Sequence, residues 1–260
     1  MKKFLILLIT LFCVTTLFGC DSTTDNPSDD SSSTIPNEEE NSDSQELPNG
    51  LRYMAIENEE TGDYYEGFVN EENQPHGFGM MFYSNGDMYE GYFENGIKQG
   101  MGTMTFGSAC IYIGEWDNDF MDGNGYMKWP MGDYFHGEWK DGNPYYGTKY
   151  FLQPDAPFDG SIEQRYCIYT GTFDGAGLLS GWGIMRWPSG DYYIGQWENN
   201  MRSGWGTQYW PSEDPNIPQY SFVGQFSHEH DGWIYGTGTM YYRDGRVVEG
   251  TWNGTELVSE

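Results

Sequence analysis

Few side chains in this sequence are spaced in a way that would support chemistry. His228-Glu229-His230 is the one local cluster of metal-ligand residue types, and two histidines two positions apart lack a third ligand nearby in the sequence. The sequence contains no Gly-x-Ser-x-Gly, His-Glu-x-x-His or Cys-x-x-Cys motif, and no segment resembles a calcium loop with its closing glutamate. We therefore expect a protein without catalytic residues, cofactor or metal site.

The many Gly-x-Gly pairs belong to a longer repeated pattern and not to a nucleotide-binding loop, since no helix is predicted after them. Each unit reads aromatic-x-Gly-x-aromatic, then Gly-x-Gly, then an aromatic residue four positions later. The basic period is about 23 residues, with three insertions, and a fixed period in this range is typical of stacked repeat architectures. The first glycines of the seven units, with a partial eighth, are Gly67, Gly91, Gly114, Gly137, Gly171, Gly195, Gly224 and Gly250.

This pattern resembles the MORN repeat (membrane occupation and recognition nexus). The resemblance is clearest in Tyr89-Glu90-Gly91-Tyr92-Phe93 with Gly100-Met101-Gly102, and in Tyr193-Ile194-Gly195-Gln196-Trp197 with Gly204-Trp205-Gly206. It extends from residue 64 to about residue 254 and implies a repeat scaffold, without implying a particular chemistry.

Within each unit the side chains alternate with period two, which predicts β-strands. In the first strand Tyr112, Gly114 and Trp116 share one face, and in the second strand the residue four positions after the Gly-x-Gly pair is aromatic in all seven units. Glycine between two aromatic positions predicts room for rings from neighbouring strands to lie across the backbone. The predicted fold is all-β: an elongated, twisted single antiparallel sheet of about seven to eight consecutive β-hairpins over residues 51–260.

The face opposite this aromatic core is expected to bind a ligand or partner. The middle residue of each Gly-x-Gly lies on it, and a curved sheet with exposed aromatic residues predicts a groove. The candidate binding residues are Phe78, Met101, Tyr146, Trp182, Arg186, Trp205 and Tyr209.

The N-terminus predicts export and lipid anchoring. Lys2 and Lys3 precede an apolar stretch that is too short to span a membrane, and Leu17-Phe18-Gly19-Cys20 resembles a bacterial lipobox, with Phe18 bulkier than the small residue usual there. The resemblance implies a signal peptide over residues 1–19 and lipidation of Cys20. Residues 21–50 contain nine Asp or Glu and no Lys or Arg, so residues 20–50 are predicted to be an acidic disordered tether.

Charge and cysteine positions limit the partners further. The net charge of −28 opposes binding to nucleic acid and to anionic headgroups, so membrane contact is expected through Cys20. Cys110 and Cys167 occupy the same position two repeats apart, too distant for a disulfide, and are expected to be free thiols.

The predicted function is a membrane-tethered scaffold that binds another protein at the bacterial cell envelope, in the cell membrane or the outer membrane. The alternative is a carbohydrate-binding envelope lipoprotein that uses the exposed aromatic residues to stack on a glycan.

Overall fold

The computed structural model describes residues 50–155, 161–163, 165–211 and 219–260. Cys20 and the two N-terminal segments predicted from the sequence lie outside these residues, apart from Gly50. The described part is a single antiparallel sheet of seventeen strands with one short 3-10 turn at His228–His230, which confirms the all-β prediction. Within these ranges no helix is long and apolar enough to cross a membrane.

The strand bounds follow the repeat closely. The strands are β1 (Arg52–Glu57), β2 (Tyr64–Val69), β3 (Pro75–Phe82), β4 (Met88–Glu94), β5 (Ile97–Thr105), β6 (Ile111–Asp117), β7 (Phe120–Lys128), β8 (Tyr134–Lys140), β9 (Asn143–Leu152), β10 (Tyr166–Phe173), β11 (Leu179–Arg186), β12 (Tyr192–Glu198), β13 (Met201–Tyr209), β14 (Gln219–Ser227), β15 (Trp233–Tyr242), β16 (Val247–Asn253) and β17 (Glu256–Ser259). The repeats account for β2 to β17, whereas β1 is an additional strand that the repeat pattern does not predict.

Each strand pairs with the next one in the chain, and the register places the repeat glycines opposite one another. Gly195, for example, pairs with Gly183 on one side and with Gly206 on the other. The same register holds from Gly67 to Gly250, so that one row of glycines crosses the sheet.

The row of glycines makes room for aromatic rings, but the rings come from a different place than the sequence predicts. The Tyr193 ring lies over Gly195 and Gly206, where an added Cβ would meet ring atoms within 2.5 Å. This ring belongs to the same strand as Gly195, which corrects the expectation for the first glycine of the unit, and it reaches Gly206 from the neighbouring strand. Its hydroxyl donates a hydrogen bond to the Gln196 carbonyl oxygen at 3.0 Å, and this contact fixes the ring flat against the backbone.

One face of the sheet, which we call the core face, is closed by edge-to-face contacts between these rings. The Trp197 ring meets the Tyr169 ring at 5.4 Å and the Tyr193 ring at 5.3 Å, both nearly perpendicular. Such geometry is favoured because the positive edge of one ring faces the negative face of the next. Met104, Met127, Met185 and Met240 are buried on the same face, which confirms that this face is the core.

Candidate partner-binding face

The opposite face, which we call the second face, is shaped by a bulge in each hairpin. In the hairpin of β12 and β13 the register shifts between Gly195 and Gln196, and Gly204 adopts φ +56°, a conformation that favours glycine. The first glycine of a Gly-x-Gly pair therefore serves the bulge, whereas the second makes room for the tyrosine ring. The bulge is capped by a side chain, because Gln196 Oε1 accepts a hydrogen bond from the Trp205 amide at 2.8 Å.

Trp182 and Trp205 are the most prominent side chains on this face. Trp182 on β11 is 60% exposed and Trp205 on β13 is 51% exposed. Gln196 on β12 lies between them, opposite Trp182 in the register and bonded to the Trp205 amide. At two strand spacings the two tryptophans are about 10 Å apart.

Arg186 and Tyr209 lie on the same three strands, joined by a residue that the sequence analysis did not select. The Arg186 guanidinium carbon is 5.4 Å from the centre of the Tyr192 ring, and that ring stacks on Tyr209 at 4.5 Å with an angle of 18°. Tyr192 could have been found from the sequence by its spacing. It lies three residues before the repeat glycine Gly195, and Arg186 lies three residues after Gly183, so alternation places both on the second face. The result is a row in which a cation and two rings are already in contact.

The other candidate residues are exposed on the second face but are not gathered with these. Phe78 packs edge-on against Tyr92 at 5.6 Å, near the N-terminal end of the sheet. Met101 is paired with Glu115, and Tyr146 is paired with Glu138 and Thr172. Trp182, Arg186, Trp205 and Tyr209 therefore share one face of three adjacent strands, whereas Phe78, Met101 and Tyr146 lie at separate positions along the sheet.

A second group of tyrosines was missed by the sequence analysis. Tyr134 stacks on Tyr150 at 4.2 Å with an angle of 12°, and Tyr166 and Tyr126 pack against this pair. Burial, with a smaller contribution from Tyr150 and Tyr166, raises the pKa of Tyr134 to about 12.

Beside Trp205 the second face forms an open groove toward the C-terminal strands, with a volume of about 550 Å³. Val223 and the hydroxyl side chains of Thr237, Thr239 and Thr251 line it. Glu249 lies at the same groove, so its polar surface carries negative charge. The groove extends the surface around Trp205 by three strands, which is a length suited to an extended ligand or chain segment.

The remaining sites considered from the sequence are also placed by the structure. His228 Nδ1 lies 3.0 Å from a Glu198 carboxylate oxygen, and the His230 ring stacks on Tyr235 at 3.7 Å. No group of three His, Cys, Asp or Glu side chains within the described ranges is arranged to hold a metal ion. Cys110 and Cys167 are free thiols.

Comparison with known proteins supports the repeat assignment. Four segments match the model of the MORN repeat, at residues 65–88, 89–110, 112–134 and 193–214, so the chain contains four MORN repeats by this criterion. No curated protein matches the chain.

Similar solved structures include two of the TCP10 domain of Danio rerio CPAP. A mutant of that domain is 11% identical, covers 80% of this chain and 98% of its own, and has a TM-score of 0.35. The wild-type domain, in complex with a peptide of Danio rerio STIL, is 13% identical with the same coverage and a TM-score of 0.20. The SAS-4 (dCPAP) TCP domain of Drosophila melanogaster, in complex with a proline-rich motif of Ana2 (dSTIL), is 12% identical over 77% of this chain and 90% of its own, with a TM-score of 0.31.

Proposed function

We propose that this protein is a non-catalytic MORN-repeat scaffold at the bacterial cell envelope whose second face binds another protein. The observation that carries the proposal is the cluster of Trp182, Arg186, Tyr192, Trp205 and Tyr209 on three adjacent strands, with both tryptophans half exposed or more. Trp, Tyr and Arg are the residue types that contribute most of the binding energy at protein interfaces. Exposing two tryptophans to water is unfavourable, and a partner that buries them would recover that free energy.

The surface between the two tryptophans and the row of Arg186, Tyr192 and Tyr209 favours a protein partner. Ile184 and Ile194 pair with each other midway between the Trp182–Gln196 pair and the Arg186–Tyr192 pair, so the centre of the cluster is apolar. A desolvated apolar centre with polar groups around it is the usual arrangement of a protein interface. The stacked Arg186, Tyr192 and Tyr209 are held by their mutual contacts, which reduces the entropy lost when a partner binds.

A carbohydrate ligand is the second candidate function, and the groove beside Trp205 is the observation that favours it. Thr237, Thr239 and Thr251 supply hydroxyl groups, and Glu249 supplies an acceptor next to an exposed indole ring. An aromatic platform bordered by hydrogen-bonding side chains suits a sugar, which has both an apolar face and a rim of hydroxyl groups.

Two experiments separate these functions. The purified protein is used to capture partners from envelope extracts and is applied in parallel to a glycan array. We expect the protein carrying both Trp182→Ala and Trp205→Ala to bind the captured protein at least about tenfold more weakly, because both side chains would be buried at the interface. Affinities are measured by surface plasmon resonance with the purified partner.

The matched control is Trp233→Ala. Trp233 is also 60% exposed, but it lines a cavity with Arg202 and Ile234 to which no residue of the cluster contributes. Equal affinities of the double variant and the Trp233 variant for the partner would disprove the proposal. Binding to a glycan, lost in the double variant and without any protein partner, would establish the second candidate function instead.

Membrane tethering through Cys20 is a separate part of the proposal and rests on the sequence alone. Two or three acyl chains on Cys20 would anchor the protein stably, since each buried CH₂ contributes about 0.8 kcal/mol and one chain alone binds weakly. We expect a radiolabelled fatty acid to be incorporated into the wild-type protein and not into the Cys20→Ala variant. The Cys110→Ala variant is the control for general loss of a thiol, and equal labelling of wild type and Cys20→Ala would contradict the prediction.

A further inference from the structure

The core face contains an open cavity at the place where the repeat is least regular. It has a volume of about 370 Å³ and lies between β9, β10 and β11, lined by Phe151, Leu178, Met185 and Trp187 among others. The first glycine of the local Gly-x-Gly is replaced by Tyr145, and the insertion after β9 is the longest in the chain. Lys149, in the wall of the same cavity, occupies a position that is methionine in five of the seven repeats.

Lys149 differs from two other cations on the core face, Lys98 and Arg202. Lys98 forms an ion pair with Asp119 at 3.1 Å, and Arg202 donates a hydrogen bond to Gln208 Oε1 at 2.8 Å. Lys149 has neither an ion pair nor a hydrogen bond to any residue in the described part of the chain.

The surroundings of Lys149 are aromatic. Its Nζ is 4.9 Å from the centres of both the Trp129 and Phe151 rings. Burial lowers the pKa of Lys149, and the negative charge of Asp133 only partly opposes this effect. Ring faces attract the ammonium group, but they do not accept its three hydrogen bonds.

An ammonium group that is partly removed from water and has no acceptor among the described residues is less well solvated than one on the surface, and a methionine at this position would avoid that cost. The cost is recovered if an anionic group enters the cavity and accepts hydrogen bonds from Lys149 Nζ. The rest of the cavity is suited to an apolar body, because Met185, Leu178 and Trp187 form its wall. Gln153 and Asn200 also line the cavity, and their side-chain amides can donate hydrogen bonds to a bound ligand.

We propose that this cavity binds a small organic acid, with its carboxylate on Lys149 and its apolar portion against Met185 and Trp187. The volume is near the lower end of the range for small-molecule pockets, so a ligand on the order of ten non-hydrogen atoms is expected. The cavity and the partner-binding cluster lie on opposite faces of the sheet. The site is therefore independent of the function proposed above.

The test compares octanoate with octanamide, which has nearly the same shape and no charge, by isothermal titration calorimetry on the purified protein. A charge-assisted hydrogen bond is about twice as strong as a neutral one, so we expect octanamide to bind at least about tenfold more weakly than octanoate. 3-Phenylpropanoate is used as a second acid, to allow for a preference for aromatic bodies. Inorganic phosphate distinguishes recognition of the whole amphipathic acid from simple anion binding.

The decisive variant is Lys149→Met, which introduces the residue that most repeats have at this position and is therefore expected to fold. It should lose the discrimination between octanoate and octanamide, whereas Lys149→Arg should retain it. Lys128→Met, on the second face, removes the same charge and should bind octanoate like the wild type. The proposal is overturned if the wild type binds neither acid, or if it binds octanoate and octanamide with equal affinity. It is also overturned if the wild type binds phosphate as tightly as octanoate, or if the Lys149→Met variant still prefers octanoate to octanamide.

Discussion

Replacing Trp197 with alanine is expected to lower the free energy of unfolding by about 3–5 kcal/mol, the usual cost of removing a buried tryptophan. Trp197 is 6% exposed and packs edge-on against Tyr169 and Tyr193, and its indole nitrogen donates to the Gly183 carbonyl oxygen at 3.3 Å. The substitution removes two aromatic contacts and leaves a gap that the hydrogen-bonded strands cannot move to close. Urea denaturation followed by circular dichroism measures the change.

Trp182→Ala is the matched control for this prediction, because it makes the same substitution one strand away on the second face. Its side chain is largely exposed, so its removal should change the free energy of unfolding by no more than about 0.5 kcal/mol. Each repeat contacts only its neighbours, and the damage from Trp197→Ala is therefore also measured locally, by hydrogen exchange of the amides in β10 to β13. Equal stabilities of the two variants would mean that the burial of the two faces has been assigned wrongly.

Gly195→Ala is expected to cost about 3 kcal/mol, although it adds a single methyl group. Gly195 has an ordinary extended backbone, so the cost comes from contact and not from φ. The added Cβ would lie 2.5 Å from the Cζ atom of Tyr193 and 2.6 Å from the Gly206 Cα. The Tyr193 ring would have to leave the backbone and lose its hydrogen bond to Gln196, which adds to the usual cost of overpacking.

Gly175→Ala provides the control for the general effect of replacing glycine. Gly175 lies in the turn between β10 and β11, its φ is not positive, and an added Cβ would meet nothing within 4 Å. This variant should be as stable as the wild type or slightly more stable, because alanine restricts the unfolded chain more than glycine does. Thermal melting of both variants measures the difference, and a Gly195→Ala protein that melts like Gly175→Ala would disprove the role assigned to the row of glycines.

The sequence predicted the elements and the two faces well because that information is local. Alternation with period two places Tyr112 and Trp116 on one face and Glu115 on the other whatever the neighbouring strands do. Turn residues between strands, such as Asn85-Gly86, also act within a few positions of the chain, and the hydrogen bond from the Gly86 amide to the Tyr83 carbonyl oxygen closes this turn. A repeat observed in register strengthens each of these local signals.

The origin of the rings over the glycines could not be read from the repeat, since two arrangements satisfy the same spacing. A repeat glycine can be covered by the tyrosine two residues before it in the same strand, or by an aromatic ring from the neighbouring strand. The hydrogen bond from Tyr193 to Gln196, within the same strand, decides between them in the folded protein. The bulge after the first glycine was missed for a similar reason, because it appears only when two strands are paired.

From its sequence alone this protein is determined to be an all-β repeat with an aromatic core face and an exposed aromatic second face. Only the tertiary structure decided which exposed residues lie together: it joined Arg186 and Tyr209 through Tyr192, and left Phe78 and Tyr146 apart. It also decided that Lys149, a polar residue at a methionine position, faces a cavity without an acceptor in the described residues. The physical reason is that alternation depends on one strand, whereas contacts across strands depend on register, bulges and the sizes of the neighbouring side chains.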